Sequence, residues 1–266
     1  MINTKKQKVK KTFVKMSVIA ITKNEEKKLP DCLRSIKWAD EIIIIDTGSV
    51  DQTVKIAKDY TDNIFNISYG SYDTWRNEGL KRATGTWVLY IDADERVTPS
   101  LHEEIVKVIS DTKNQFGWYV IPRKNIILGK ELKHGGWWPD YVKRLFVRGK
   151  LKGWKGELHE EPMAEGGMGY LKSPILHIKH NDLSEMVEKT NTWSGVEAKL
   201  MFAAGHPPMN VVRFISAMFR EFWLRMVRNK AFMDGTVGII YALYQTFSKF
   251  ISYAKLWEMQ LKKNMK

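Results

Sequence analysis

The chain has 266 residues and a formal net charge of +13; 44% of its residues are hydrophobic and 27% are charged. These proportions are ordinary for a folded globular protein and exclude a wholly disordered chain. The single cysteine, Cys32, excludes an internal disulfide and a cysteine-rich zinc module. No run reaches the ~18 apolar residues of a spanning helix, and no segment resembles a signal peptide. We therefore expect a cytoplasmic protein.

The positive charge is concentrated at the two ends of the chain. Residues 1–15 contain six lysines and no acid, and residues 199–266 contain eleven Lys or Arg residues and three acids. Residues 16–198 are nearly neutral, with 26 bases and 27 acids. Basic flanks of this kind indicate an anionic partner, either nucleic acid or acidic lipid. Solvated tails of a lysine-rich protein are the alternative.

Strand-like and helix-like segments alternate over the first 110 residues. Apolar, β-rich runs predict strands at 16–22, 41–46, 63–67 and 86–91. Helical spacing predicts helices at 24–37, 52–59 and 72–83, with Asn24 as the first N-cap and a further helix opening at Pro99. This alternation favours an α/β fold with a doubly wound, mostly parallel sheet.

The pattern changes after about Phe116. Short β-like runs at 117–122 and 144–147 alternate with turns up to about Pro174, and helices return from Leu183. Two long helical patterns follow Pro207-Pro208 and are separated near Asp234-Gly235.

Carboxylates end two of the predicted strands. Asp46 follows the second strand, and Asp92-Ala-Asp94 follows the fourth. In an open α/β sheet, ligands bind beyond the carboxyl ends of the strands, and a charged group there needs a cation or a hydrogen-bond donor. A helix cap would equally explain Asp46. Two oxygen ligands two residues apart suit Mg²⁺ or Mn²⁺, which in turn bridges phosphates.

Long segments of the chain carry a family resemblance. VIAITKNEEKKLPDCLRSIKWADEIIIIDTGSVDQT and WRNEGLKRATGTWVLYIDADERV resemble the family 2 glycosyltransferases, whose GT-A fold binds nucleotide sugars. GWKGELHEEP and FMDGTVGIIYALYQTFSKFISYAKLWE resemble the lipopolysaccharide core β-1,4-glucosyltransferases and their relatives. The resemblance covers about residues 16–257. It implies a GT-A catalytic domain with a Rossmann-like sheet at 16–182 and a C-terminal helical extension at 183–266, which follow the basic tail at 1–15.

The resemblance implies a nucleotide-sugar site. Asp46 would accept a hydrogen bond from the base, Gly48 would let the chain bend around the nucleotide, and Arg76 would face the phosphates or the donor sugar. A surface helix arginine is the alternative for Arg76. Thr47 departs from the family, in which many members carry a second Asp. The complete set of implied donor residues is Thr22, Glu25, Asp46, Gly48, Arg76 and Asp92.

The resemblance also implies a divalent cation, Mg²⁺ or Mn²⁺. Asp92 and Asp94 match the metal-binding pair, with Asp94 the direct ligand, and His177 in ILHIKH matches a third ligand. A buried, hydrogen-bonded histidine is the alternative for His177. A zinc site on His177 and His180 lacks further Cys or His ligands.

An inverting transfer needs a general base for the acceptor hydroxyl. Glu160 is the candidate base and His159 would orient it or the acceptor, because the pair matches the family's His-Glu after W-x-G. Asp140 and Glu161 compete with Glu160, and a charged turn is the alternative for the segment. The nearby Trp137 and Trp138 either stack on a sugar or belong to the core.

The segment from Pro208 to Ala231 predicts a cationic amphipathic helix. Arg213, Arg220 and Arg228 lie on one side, opposite a broad apolar arc. Such a helix either lies in a membrane interface or packs in the core. The arginines and the N-terminal lysines favour an anionic membrane surface.

These observations predict a metal-dependent, inverting glycosyltransferase at the inner face of the cytoplasmic membrane. It would move glucose from UDP-glucose to a lipid-anchored glycan such as the lipopolysaccharide inner core, and would not bind nucleic acid. The alternatives are a different donor with another lipid-linked or cell-surface glycan, a nucleotidyltransferase, and a non-catalytic membrane- or nucleic-acid-binding protein on the same fold.

Overall fold

The computed structural model describes residues 16–156 and 160–264. The lysine-rich segment 1–15 and His159 lie outside the described residues. The chain divides into two compact units, which are discontinuous in sequence. The first contains the chain up to Ala93, His102–Tyr119 and Arg144–Gly169; the second contains Asp94–Leu101, Val120–Lys143 and the chain from Tyr170 onward. The predicted boundaries at 16–182 and 183–266 stay a prediction.

The described residues form strands and helices that alternate first and then separate. The strands are β1 (Met16–Thr22), β2 (Glu41–Asp46), β3 (Ile64–Asn66), β4 (Trp87–Asp92), β5 (Glu95–Val97), β6 (Phe116–Ile127), β7 (Lys130–Glu131), β8 (Asp140–Val147), β9 (Leu151–Lys155), β10 (Glu161–Ala164), β11 (Gly167–Tyr170) and β12 (Ile175–His180). The α-helices are α1 (Leu29–Ser35), α2 (Thr53–Lys58), α3 (Tyr72–Arg82), α4 (Pro99–Ser110), α5 (Leu183–Ala203), α6 (Val211–Phe222) and α7 (Gly235–Asn264).

In the first unit, four parallel strands lie in the order β3-β2-β1-β4. Residues 145–147 of β8 pair antiparallel with the start of β4. β1 is buried at every position, and so is β2 after Glu41, which explains their almost unbroken apolar sequences. The bounds predicted for these two strands are confirmed. Their parallel pairing places Thr22 opposite Asp46 at the carboxyl end.

The core of the first unit brings aromatic residues of three strands together. The Tyr90 ring on β4 packs edge-on against Trp154 of β9 at 5.0 Å and against Phe146 of β8 at 6.0 Å. Ile19 of β1 lies in the same cluster and is fully buried. This packing holds the end of β4, and with it Asp92.

The start of the first helix differs from the prediction. Asn24 is not an N-cap, because α1 begins only at Leu29 and its N-cap is Lys28. Asn24 instead adopts a left-handed conformation with φ of 53°, which asparagine tolerates better than most residues. Its side-chain oxygen accepts the backbone N–H of Val50. Asn24 therefore links the loop after β1 to the loop after β2 by a hydrogen bond.

In the second unit, β12 runs parallel to residues 123–127 of β6 and antiparallel to β5. Helix α6 is followed by a π-helical segment, Trp223–Arg228, and a 3₁₀ turn, Ala231–Asp234, before α7. The cluster around Ala217, Tyr253 and Leu256 forms part of the core. The predicted α/β class, the mostly parallel strands and the C-terminal helices are confirmed. No helix within residues 16–156 and 160–264 has the length and apolar character needed to cross a membrane.

Candidate active site

The loop after β2 is organised around Asp46. Its buried carboxylate accepts the backbone N–H groups of Gly48 at 3.1 Å and Ser49 at 3.0 Å, and the Thr22 hydroxyl at 3.4 Å. Helix α2 begins only at Thr53, so Asp46 stabilises the turn and is not a helix cap. Gly48 has φ of 97°, a region that favours glycine. Thr22, Asp46 and Gly48 therefore lie together, and the Glu25 backbone joins α2 by donating to Thr53.

Arg76 on α3 is buried at the centre of a second group in the first unit. Its Nε donates to Glu160 Oε1 at 2.8 Å, and its Nη2 lies 3.6 Å from Asp92 Oδ1. The guanidinium also lies over the rings of Trp154 at 4.7 Å and Tyr90 at 5.3 Å. Nη1 is buried and has no hydrogen-bond partner among the residues that the structure describes. Buried donors are normally paired, so the unpaired Nη1 of Arg76 is a point at which a further acceptor could bind.

Arg144 is a second buried arginine at the same carboxylate, and sequence reasoning missed it. It lies on β8, is 4% exposed, and forms an ion pair with Asp92. The sequence feature that could have indicated Arg144 is its position directly before the apolar run Leu145-Phe146-Val147. Two arginines thus surround Asp92, which makes that carboxylate a weaker candidate for direct metal ligation than its charge alone suggests.

Asp94 belongs to a polar network of the second unit. His177 Nε2 lies 3.5 Å from Asp94 Oδ2, and His177 Nδ1 lies 2.6 Å from Asn125 Oδ1. The Asn125 amide nitrogen donates to the Trp137 carbonyl and to Asp140 Oδ2, which fixes the oxygen of that amide toward His177. His177 Nδ1 therefore donates to Asn125, and Nε2 is the ring nitrogen beside Asp94.

The pair Asp94 and His177 fits one side of a divalent cation site. Carboxylate oxygen with imidazole nitrogen suits Mn²⁺, and the hydrogen bond to Asn125 orients the ring as outer-shell partners of metal ligands do. Across the described part of the chain, no group of three or more His, Cys, Asp or Glu residues is placed to hold a metal. The remaining positions of such a cation would be filled by substrate oxygens and water. His180 has a different neighbour, the ring of Tyr241.

Asp140, a competitor for the role of base, is held by two donors. Arg123 Nε donates to it at 2.8 Å and Asn125 at 3.0 Å. Burial would raise the pKa of Asp140, but the charge of Arg123 and these hydrogen bonds outweigh burial and lower it. A lowered pKa makes Asp140 a weaker base. The other competitor, Glu161, is exposed on β10.

The two tryptophans have different environments. Trp137 lies between Lys179 at 4.7 Å and Arg225 at 5.0 Å, and its ring packs at 5.0 Å from Tyr241. Trp138 is 42% exposed. Burial lowers the pKa of Lys179 to about 8. The positive charge of Arg123 lowers this pKa further, and the negative charge of Asp94 raises it. Trp137 is thus a packed residue, whereas Trp138 is exposed to solvent.

Comparison with known proteins decides the family. Residues 17–161, more than half of the chain, match the model of Glycosyl transferase family 2. The chain belongs to this family. The family 2 glycosyltransferase is 28% identical to the lipopolysaccharide core biosynthesis glycosyltransferase LpsC of Rhizobium meliloti, covering 91% of this chain and 92% of LpsC.

Other similar proteins include an uncharacterized glycosyltransferase of Rickettsia bellii. It is 26% identical over 94% of this glycosyltransferase and 88% of the relative. Among solved structures, S. aureus TarS 1-349 in complex with UDP-GlcNAc is 16% identical, covers 94% of this chain and 92% of its own, and has a TM-score of 0.47.

Proposed function

We propose that this glycosyltransferase moves glucose from UDP-glucose to a lipid-anchored glycan, with inversion at the anomeric carbon. The observation that carries the proposal is Arg76, a buried arginine that lies beside Asp92 and Glu160 and whose Nη1 has no hydrogen-bond partner among the described residues. A diphosphate supplies such oxygens, and arginine binds phosphate in a forked, charge-assisted geometry. In the proposed donor site, Thr22, Glu25, Asp46 and Gly48 bind the nucleoside, and Arg76, which Asp92 orients, binds the phosphates.

Asp94 and His177 are proposed to hold a divalent cation, Mn²⁺ or Mg²⁺. The cation would neutralise the charge that develops on the nucleoside diphosphate as it leaves. The support for this role is the position of His177 Nε2 beside Asp94 and the hydrogen bond between Nδ1 and Asn125, which orients the ring.

Glu160 is proposed as the general base that accepts the proton of the acceptor hydroxyl. Its carboxylate is bound by Arg76, the same residue that is proposed to meet the diphosphate. A donor phosphate that attracts the Arg76 guanidinium would weaken its hold on Glu160 and leave the carboxylate free to accept a proton. His159, which the structure does not describe, stays a proposed orienting residue.

The acceptor is proposed to be a lipid-anchored glycan such as the lipopolysaccharide inner core. The support is the similarity to LpsC, a lipopolysaccharide core biosynthesis glycosyltransferase, over nearly all of both chains. The exposed Trp138 offers an aromatic face on which an acceptor sugar can stack. An acceptor of this kind would place the enzyme at the inner face of the cytoplasmic membrane.

Donor binding tests the proposal directly. We would measure binding of UDP-glucose, UDP-N-acetylglucosamine and GDP-mannose by calorimetry, with Mn²⁺ and with EDTA. UDP-glucose should bind best and only with the metal. Arg76→Gln should weaken binding by about tenfold or more, as expected for a lost charged hydrogen bond, whereas Arg34→Gln at an exposed arginine of α1 should not. Binding of no nucleotide sugar by the wild-type chain would refute the proposed function.

A further inference from the structure

Helix α6 exposes a continuous row of large apolar side chains. Val211, Ile215, Phe219 and Trp223 follow one another at a spacing of four and are between 44% and 72% exposed, and Val212 beside them is 74% exposed. We call these five residues the α6 stripe. Because residues four apart lie on one side of a helix, the stripe is a single surface and not a scatter of exposed residues. Surfaces of this kind mark sites of interaction with a partner.

A different side of α6 packs in the core of the second unit. Ala217 is buried, and Phe214 and Met218 pack against the cluster that contains Tyr253 and Leu256. The Phe214 ring lies 5.8 Å from that of Phe250 on α7. The contacts that fix the helix therefore leave the stripe uncovered. One part of the broad apolar arc that the sequence predicts is therefore packed in the core, and the other part is exposed.

The charges around the stripe select its partner. Residues 208–234 expose four cations, Arg213, Arg220, Arg228 and Lys230. The two acids of this segment are not exposed: Glu221 pairs with Arg225, and Asp234 accepts the backbone N–H groups of Lys133 and His134. The surface is therefore both apolar and positively charged.

Of three partners, a second copy of the chain, a nucleic acid and an anionic lipid surface, the lipid surface alone meets both properties. Two copies of the chain joined through this face would bring like charges together, which opposes association. A nucleic acid would attract the cations but leave the apolar row in water. An anionic bilayer accepts apolar side chains at the boundary of headgroups and acyl chains, and attracts arginine at its phosphates.

We infer that the α6 stripe docks this glycosyltransferase on an anionic lipid bilayer. The inference rests on the proposed function, because a lipid-anchored acceptor lies at such a surface. α6 continues into the segment Trp223–Arg228, where Arg225 donates to the Gly135 carbonyl at 3.0 Å and lies over Trp137. The docking helix is thus joined to the loop that carries the exposed Trp138. Docking would bring this loop to the surface from which the acceptor projects.

Vesicle binding of the full chain tests the inference. We would measure co-sedimentation with vesicles of phosphatidylcholine and phosphatidylglycerol at a 7:3 ratio, and with phosphatidylcholine alone, for wild type, Val212→Glu and Val106→Glu. Val106 provides the matched control, because it is an exposed valine on α4 in the other unit. We expect the wild type and Val106→Glu to bind the anionic vesicles only. Val212→Glu should bind about tenfold more weakly, since a charge replaces an inserted apolar group.

A variant with fewer positive charges provides a second, independent test of vesicle binding. The double variant Arg213→Gln and Arg220→Gln should bind the anionic vesicles on the order of 25-fold more weakly, about fivefold for each cation removed. All variants keep the lysines of residues 1–15, so equal binding by Val212→Glu and Val106→Glu would assign vesicle binding to those lysines and overturn the inference. A dimer of the wild type that Val212→Glu converts to a monomer would overturn it in favour of self-association.

Failure of this inference is separable from failure of the proposed function. UDP-glucose binding is measured on the same proteins without vesicles. Retained donor binding with no vesicle binding by the wild type would overturn the docking surface alone. Vesicle binding without donor binding would overturn the proposed function.

Discussion

At the scale of single residues, Arg76 couples the groups proposed for donor binding and for catalysis. It contacts Asp92 at the end of β4 and Glu160 before β10, 84 positions away in sequence. Glu160 is 15% exposed in its side chain, and Asp92 is bound by Arg144 as well. Removal of one member of this group therefore changes the charge balance of the others. Isosteric amide variants are the appropriate probes, because they keep the shape and remove only the charge.

Glu160→Gln should lower sugar transfer by about 10²- to 10⁴-fold, the usual contribution of a general base. Binding of UDP-glucose should stay within a few-fold of wild type, because Arg76 keeps its charge. Turnover and calorimetric donor binding measure the two effects. Glu161→Gln, at the exposed neighbour, is the matched control and should transfer sugar normally. Normal turnover by Glu160→Gln would remove Glu160 from the mechanism.

At the scale of elements, helix α3 carries Arg76 and approaches β1 closely. A Cβ at Gly79 would lie 2.5 Å from Ile19 Cγ2, and Ile19 is fully buried. Helix and strand can therefore pack at this distance only with glycine at position 79. The position of Arg76, one turn earlier on the helix, depends on this contact.

Gly79→Ala should destabilise the protein by about 1–3 kcal/mol, since overpacking against a buried isoleucine outweighs the gain in helix propensity. Gly149→Ala is the matched control, because a Cβ there meets nothing within 4 Å. The urea midpoints of both variants measure the difference. A Gly79→Ala variant as stable as Gly149→Ala would show that Ile19 can move aside.

The start of α3 also gives a pH-dependent contribution to stability. The hydrogen bond from the Ser71 hydroxyl lowers the pKa of Asp73. Burial opposes it, and the N–H groups of Thr74 and Gly156 lower the pKa further. Because the folded pKa lies below the unfolded value of 3.8, the stabilisation is present above pH 3.8 and disappears as the pH falls further.

Asp73→Asn should therefore be less stable than wild type at pH 7, with a difference that shrinks below pH 4. Thermal unfolding from pH 7 to pH 3 measures this difference. Asp59→Asn, at an exposed carboxylate at the end of α2, controls for the loss of one negative charge. A difference that stays constant over this range would show that Asp73 acts by packing and not by its charge.

At the scale of the whole chain, contacts between distant segments hold the loop of the second unit that contains Trp137 and Trp138. Asp234 lies 100 residues from His134, and its buried carboxylate accepts the backbone N–H and Nδ1–H of His134 and the backbone N–H of Lys133. The backbone N–H of Gly135 donates to the Asn229 carbonyl at 2.7 Å. The C-terminal segment thus fixes the loop that presents Trp137 and Trp138.

Asp234→Ala should lower stability by about 2 kcal/mol or more, because three partly buried donors lose their acceptor and a fully buried one costs about 1–3 kcal/mol. Asp182→Ala removes an exposed N-cap whose side chain accepts the Glu185 N–H, and should cost about 1 kcal/mol. Thermal unfolding compares the two. Equal losses would show that water satisfies the freed donors of the loop.

The sequence by itself determined the elements with strong local patterns and the family. The bounds of β1 and β2, and the starts of α4 and α5, follow from apolar runs and from Pro99 and Leu183, because local periodicity reports which faces are buried. The site residues of the first unit lie in two groups, Thr22 with Asp46 and Arg76 with Asp92 and Glu160. The motifs indicated these residues, but not which of them touch.

Only the tertiary structure decided which partners the polar side chains have. It assigned Asn24 to a loop contact, Arg144 to Asp92, and His177 Nδ1 to Asn125, all through residues at least 26 positions away. It also divided the apolar arc of α6 into a packed side and an exposed stripe. A helical pattern gives the width of an apolar face, whereas only packing against other elements determines how much of that face is covered.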